Sequence, residues 1–128
     1  MYRWPRETEW EYACRGGLSS QADCKWSYYF KVSTNTLSTN QANFDESGLD
    51  RTSIVGSYQP NAMGMYDMHG NVWEWCEDSY NGTDRVIRGG GWLNAAECCR
   101  AAYRDGSAPT SECRDLGLRL ARVPSGGK

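Results

Sequence analysis

From Ile54 onward, short aromatic and β-branched runs are cut off by glycine or asparagine: GMYDM, NVWEWC and RVIRGGGW. Runs this short cannot establish a helical repeat and read as strands of a few residues joined by turns. Asn81-Gly82 is the dipeptide that tight hairpins prefer, because both central residues of such a turn take positive φ. With Thr83 it also spells a glycosylation acceptor, although the turn accounts for it. Alternation along NVWEWC puts Trp73 and Trp75 on one face beside Glu74 and Val72. LGLRLARV alternates apolar and basic residues and predicts a final strand.

Upstream, PRETEWEYAC (5–14) is the best helix candidate. Pro5 suits a first turn, acids gather at the N-terminal end, and Trp10, Ala13 and Cys14 fall on one face. Gly16-Gly17 supplies the stop. Residues 18–53 are rich in Ser, Thr, Asn and Gln and predict a long ordered loop with short strands at most, held by something such as a metal ion or a disulfide. Little helix, many short strands and much irregular chain predict a single α+β domain over 1–128.

Composition narrows the function. Fourteen basic and sixteen acidic residues leave a net charge of −2 with no basic patch, which argues against nucleic acid as a partner. No apolar run is long enough to span a membrane, and MYRWPRETEW lacks the apolar centre of a signal peptide, so the compartment is left open. Six cysteines occur without a CxxC pair and beside a single histidine, which leaves a structural zinc site little to build from. Their pairing is open, since six cysteines allow fifteen full connectivities.

RETEWEYACRGG, NQANFDES, VGSYQPNAMGMYDMHGNVWEWCEDSY, RVIRGGGW and CRAAYRDGSAPTSECRDLGLRLAR together resemble the formylglycine-generating enzyme, or sulfatase-modifying factor, superfamily. The resemblance spans nearly the whole chain and implies a C-type-lectin-like fold with little regular secondary structure. It also implies that this chain corresponds to the C-terminal portion of the usual domain. The N-terminal part, including a strand that pairs with the C-terminal one, is missing. An unpaired edge and an uncovered core face are then expected to be compensated by self-association, a possible homo-oligomer, or by a rearranged N-terminus.

The resemblance further implies calcium (Ca2+), held by Asp67, the backbone of Gly70 and Val72, and Glu74, with Asn71 in reach. Oxygen donors at short irregular spacing suit that ion, and a glycine permits the tight path. Spacing alone fits equally a turn capped by Asp67 and Asn71 with Glu74 in solvent. A second family calcium site maps to Asn43, Phe44 and Leu49, but Ser47 stands where an aspartate is expected, with Asp45 and Asp50 as substitutes. His69 reads as a hydrogen-bonded structural residue, and Trp73 and Trp75 as core.

Family chemistry oxidises a sulfatase cysteine in a Cys-x-Pro-x-Arg motif to formylglycine, with copper(I) on two enzyme cysteines. The matching positions are Asn94 and Cys99. Asparagine offers no thiolate, so no catalytic residues are expected, and adjacent Cys98 and Cys99 would point apart on an extended strand. The resemblance implies a Cys14–Cys99 disulfide instead. The leading expectation is a non-catalytic domain, stabilised by calcium, that binds a protein or small ligand through 93–115, with Asn94, Tyr103, Arg104 and Asp105 as contact residues. The alternatives are a copper-dependent formylglycine-generating oxidase, a binding protein varied by a bacterial diversity-generating retroelement, and a remnant that folds only as an oligomer.

Overall fold

A computed structural model describes residues 1–126. The elements run β1 (Tyr2–Arg3), α1 (Glu7–Cys14), β2 (Tyr28–Tyr29), β3 (Ser33–Thr34), β4 (Trp73–Ser79), β5 (Arg85–Arg88), β6 (Arg104–Ser107), β7 (Leu116–Gly117) and β8 (Ala121–Arg122), with 3-10 turns at Asp45–Ser47 and Ala96–Cys99. The mixture is the α+β class that the sequence predicts. The main sheet has the order β6-β5-β4-β7, with only the β4–β7 pair parallel.

The helix starts two residues later than predicted. Pro5 lies ahead of it, and the Glu9 carboxylate accepts the Arg6 amide at 2.8 Å, satisfying a donor at the open end. At the far end the Gly17 amide returns to the Tyr12 carbonyl at 2.9 Å. The β4–β5 hairpin turns around Asn81-Gly82, but over residues 80–84 rather than as a two-residue turn: only Gly82 takes positive φ (94°), and the Asn81 side chain accepts the Thr83 and Asp84 amides. GMYDM forms no strand: it is a series of turns in which Asn61 Oδ1 accepts the Met63 and Met65 amides.

Side-chain alternation in β4 separates two packed layers. Trp73 and Trp75 join Ile87 on one face, under Trp4, Cys98, Tyr103 and Leu116, and Trp4 stacks on Trp75 at 5.5 Å. On the other face Cys76 and Val86 meet Trp10 and Cys14 of α1, with Tyr29, Met68 and Ala101. A third cluster of Tyr28, Ala42, Phe44 and Cys99 lies under the long polar stretch, which contains only the β2–β3 pair and one 3-10 turn.

A buried arginine fastens helix to sheet. Arg88 in β5 donates to Glu7 and Glu11, each at 2.7 Å, and to the Ala101 carbonyl, with its guanidinium 5.1 Å from the Trp10 ring centroid. Glu7 is shared with Arg104 of β6, which approaches its other oxygen at 2.7 Å.

The predicted closing strand is two short ones. β7 lies against β4, residues 118–120 pair with no strand, and β8 pairs antiparallel with β1. The residues just before the helix thus partner the C-terminal strand. The expected Cys14–Cys99 disulfide is corrected: both residues are buried free thiols. They belong to different clusters, and the His69 ring lies between them, with Nε2 3.6 Å from Cys14 Sγ and Nδ1 2.7 Å from the Cys99 carbonyl.

Candidate functional site

The run Asp67–Asn71 bends sharply, and Asp67 (φ 54°), Gly70 (φ 83°) and Asn71 (φ 70°) all take left-handed backbone. Asp67 Oδ2 accepts the Gly56 amide at 2.7 Å, so the acid closes a turn across eleven residues. Asn71 Oδ1 accepts the Ser53 amide at 2.9 Å and its hydroxyl at 3.2 Å, while the Asn71 amide donates to the Asn43 carbonyl at 2.7 Å. These bonds tie the polar 18–53 stretch to the start of β4.

His69, 2% exposed, is a structural centre. Nδ1 faces the Cys99 carbonyl and so carries the proton, while Nε2 accepts the Tyr29 amide at 2.9 Å. Burial pushes its pKa down to about 4 against hydrogen bonds that favour the charged ring. Below pH 6.5 the unfolded chain takes up this proton before the native state does. The histidine therefore gives its full stability above pH 6.5 and loses it as pH falls toward 4, by about 3 kcal/mol in all. It is the only histidine, so urea midpoints at pH 7.5 and pH 5 are expected to show a clear loss that His69→Gln removes. Equal midpoints in the unsubstituted chain would refute this.

Glu74 is 4% exposed, not the solvent-facing acid that a bare turn would have. Its carboxylate accepts the Trp10 indole N–H at 2.7 Å and two guanidinium N–H groups of Arg119 at 3.0 and 2.8 Å. Asp67, Asn71, Val72 and Glu74 line one cavity of about 320 Å³ with Val55, Gly56, Tyr66, Leu118 and Arg119. Four of the five residues expected at the first calcium position are thus together. Arg119 already neutralises the strongest donor, however, and a cation would have to displace it. Gly70 is set apart from the cavity by its contact with the Asn43 carbonyl.

At the second position Asn43 Oδ1 is a buried acceptor with no hydrogen-bond partner among the described residues. Phe44 is buried beside it and Leu49 is exposed. Ser47, in place of the expected acid, closes its own turn by accepting the Phe44 amide and donating to the Ala42 carbonyl.

The RGGGW turn is held by Asn94. Its Oδ1 accepts the Trp73 indole N–H at 2.8 Å and the Gly91 amide at 3.0 Å, and its carbonyl accepts the Asp45 amide. Cys98 and Cys99 lie in the 3-10 turn Ala96–Cys99 rather than on an extended strand, and Cys98 packs in the tryptophan cluster while Cys99 packs in the Phe44 cluster. Burial pushes the Cys99 thiol up to about 12, so it is protonated near neutrality. Of the other expected contact residues, Tyr103 packs 6.1 Å from Trp73, Arg104 is engaged by Glu7 and lies over Tyr80, and Asp105 accepts the Gly106 amide. Asn94 and Tyr103 thus share Trp73, whereas Arg104 belongs to the α1 network.

The sequence reading missed Arg119, Trp10 and Ser53 as members of these networks. The only signal for Arg119 was its place in the alternating closing run, which by itself points to solvent.

Residues 1–124 match the sulfatase-modifying factor enzyme 1-like domain. The chain is 36% identical to an inactive C-alpha-formylglycine-generating enzyme 2 from Bos taurus, over 93% of this chain and 43% of that protein. It is 32% identical to a formylglycine-generating enzyme from Mus musculus, over 93% of this chain and 38% of the other. Among solved structures, Treponema denticola variable protein 1 superposes with a TM-score of 0.77 at 34% identity, over 93% of this chain and 46% of that one. PvdO from Pseudomonas aeruginosa gives 0.76 at 30% identity, over 93% and 51%. The chain therefore spans less than half the length of these two curated relatives.

Proposed function

Since the chain belongs to the sulfatase-modifying factor enzyme 1-like family, we propose that it is a member that binds a ligand rather than oxidising one. One observation carries the reading: the position expected for the first copper-binding cysteine holds Asn94, whose side-chain oxygen is fully used in bracing Trp73 and Gly91. The remaining cysteine of that pair, Cys99, is buried and protonated, and its neighbour Cys98 faces another cluster. Two thiolates converging on one ion have no support in this arrangement. The ligand-facing surface is the 93–115 segment, where Tyr103 and Asp105 are half-buried on β6 and its approach and Asn94 shapes the adjacent turn. The partner is a protein or small polar ligand.

Calcium stabilises the domain in this proposal. Asn43, with Phe44 and Leu49, would hold one ion, for which the unpartnered Asn43 oxygen speaks. Asp67, Gly70, Asn71, Val72 and Glu74 would hold another once Arg119 moves aside. The ion supplies positive charge to oxygens that otherwise lack it, and no chemistry.

The test is incubation with a Cys-x-Pro-x-Arg peptide, copper(I) and oxygen, read by mass spectrometry, beside a thermal melt with calcium or chelator. We expect no formylglycine, no copper uptake, and a melting temperature that falls with chelator. Peptide conversion would overturn the binding reading, and a melt indifferent to calcium would remove the ion from it. A second reading, a retroelement-varied binding surface, is favoured by the likeness to Treponema denticola variable protein 1. A template copy of 93–115 in the genomic neighbourhood would support it.

A further inference from the structure

Among the described residues the buried charged side chains are Arg15, Glu74, Arg88 and Asp115. Three of them have partners. Arg15 donates to the Tyr29 hydroxyl at 2.7 Å beside Glu11, Glu74 accepts from Arg119, and Arg88 donates to Glu7 and Glu11. Asp115, 9% exposed, is the exception: within the described residues no hydrogen bond or ion pair reaches its carboxylate. A carboxylate drawn this far out of water costs free energy until a donor or a cation meets it. It is not sealed, however. The fully enclosed polar side-chain atoms that lack a partner are Asn43 Oδ1 and Arg88 Nε, so the Asp115 oxygens keep a path to solvent.

The backbone holds this acid in place. Its carbonyl accepts the Trp73 amide at 2.7 Å, the Arg114 carbonyl accepts the Trp92 indole N–H at 3.3 Å, and Leu116 enters β7 against β4. Gly91 leaves room for the side chain, since a Cβ there would lie 2.9 Å from Asp115 Oδ2. The carboxylate thus stands against the RGGGW turn that Asn94 braces. The rest of the 93–115 segment carries the same sign. Glu97, Asp105 and Glu112 take part in no salt bridge among the described residues. Its arginines are occupied: Arg104 by Glu7, Arg100 over Tyr103 and Arg114 over Trp92.

We propose that Asp115 anchors a cationic group of the ligand, an alkylammonium or alkylguanidinium such as lysine, arginine or a polyamine carries. This rests on the reading of 93–115 as the ligand-facing segment and adds the charge of what it takes. N–H groups of such a cation make the charge-assisted bonds that the carboxylate lacks, and the outlying acids steer it inward. Calcium takes six to eight oxygens, which one carboxylate does not supply, whereas its two oxygens match two N–H groups of a guanidinium.

Amide NMR of the 128-residue chain, titrated separately with butylguanidinium, its neutral isostere butylurea, and butyrate, tests this. The expected result is saturable movement of the Gly91, Asn94 and Asp115 amides with butylguanidinium alone. Asp115→Asn should weaken that binding about tenfold or more, the worth of a hydrogen bond to a charged group. Glu46→Gln, at an exposed acid outside the segment, should leave it unchanged. If Asp115→Asn does not fold, the contrast between butylguanidinium and butylurea on the unsubstituted chain decides. Spermidine and acetyl-Gly-Arg-Gly-amide then distinguish the two sources of the cation by which binds tighter. No movement with butylguanidinium, equal movement with butylurea, or full affinity in Asp115→Asn would overturn the proposal. Movement of 93–115 by butyrate or butylurea alone would leave that segment as the binding surface and remove only the cation. Formylglycine in the peptide assay above would instead remove the binding reading itself.

Discussion

Arg88→Met is expected to destabilise the domain by about 3–5 kcal/mol, the cost of breaking a buried ion pair from one side. Arg88 is 2% exposed and serves two helix carboxylates and a carbonyl of the 99–101 segment at once. Methionine fills similar volume but leaves Glu7 and Glu11 against an apolar wall and the Ala101 carbonyl without a donor. It also removes the guanidinium from the Trp10 ring. Burial alone would push the Glu7 carboxyl up, yet Arg104 and Arg88 together hold it below the ordinary range. Losing Arg88 weakens that hold. Arg104→Met is the control: its side chain is half exposed, and its removal is expected to cost at most about 1 kcal/mol. Urea unfolding of both variants measures the difference, and equal midpoints would show that burial does not set the value of these pairs. Adding Glu11→Gln to Arg88→Met should recover part of the loss, because the carboxylate that Arg88 leaves behind at that position is then neutral, while Glu7 keeps Arg104.

Gly70→Ala is expected to cost at least about 3 kcal/mol, or to prevent folding. At φ 83° an alanine pays for a left-handed backbone, and its Cβ would be driven into the Asn43 carbonyl oxygen. That oxygen cannot retreat without giving up the Asn71 amide it accepts at 2.7 Å. Gly64→Ala separates the two causes. Gly64 has a similar φ of 77° with nothing within 4 Å of the added carbon, so only the backbone cost of about 1 kcal/mol remains. Denaturant midpoints that fell equally in both variants would remove the steric part of the argument.

Local features of this fold could be read from the sequence, and remote ones could not. The helix, the Asn81-Gly82 hairpin and the two-tryptophan face of β4 follow from turn chemistry and alternation, which need only neighbours in the chain. The C-type-lectin-like fold of the formylglycine-generating enzymes came from five motif blocks taken together, and structural neighbours share it. The ion pairs went to partners that no local pattern indicates. Arg104 and Arg119 reach Glu7 and Glu74, 97 and 45 positions away. At the candidate site, the family resemblance grouped Asp67, Asn71, Val72 and Glu74, which line one cavity, but it gave no sign of the arginine that shares it. The Cys14–Cys99 disulfide that the resemblance implies is not formed for a related reason: two motif blocks that lie close in the fold say nothing about an imidazole placed between their cysteines.

The guanidinium–ring stacks have a practical side. Of eleven arginines and three lysines in the chain, Arg15, Arg88, Arg100, Arg104 and Arg114 each lie over an aromatic ring, at 5.1 to 5.6 Å from its centroid. A lysine in any of these places would keep the charge and lose the planar contact. Lys25, 5.5 Å from the Trp26 ring centroid, and Lys31 are both exposed on the long polar stretch, and among the described residues neither takes part in a salt bridge. Guanidinium groups do not react with acylating reagents, so dyes or surface linkers carried on active esters react at lysine and terminal amines and leave the arginines that brace the fold untouched.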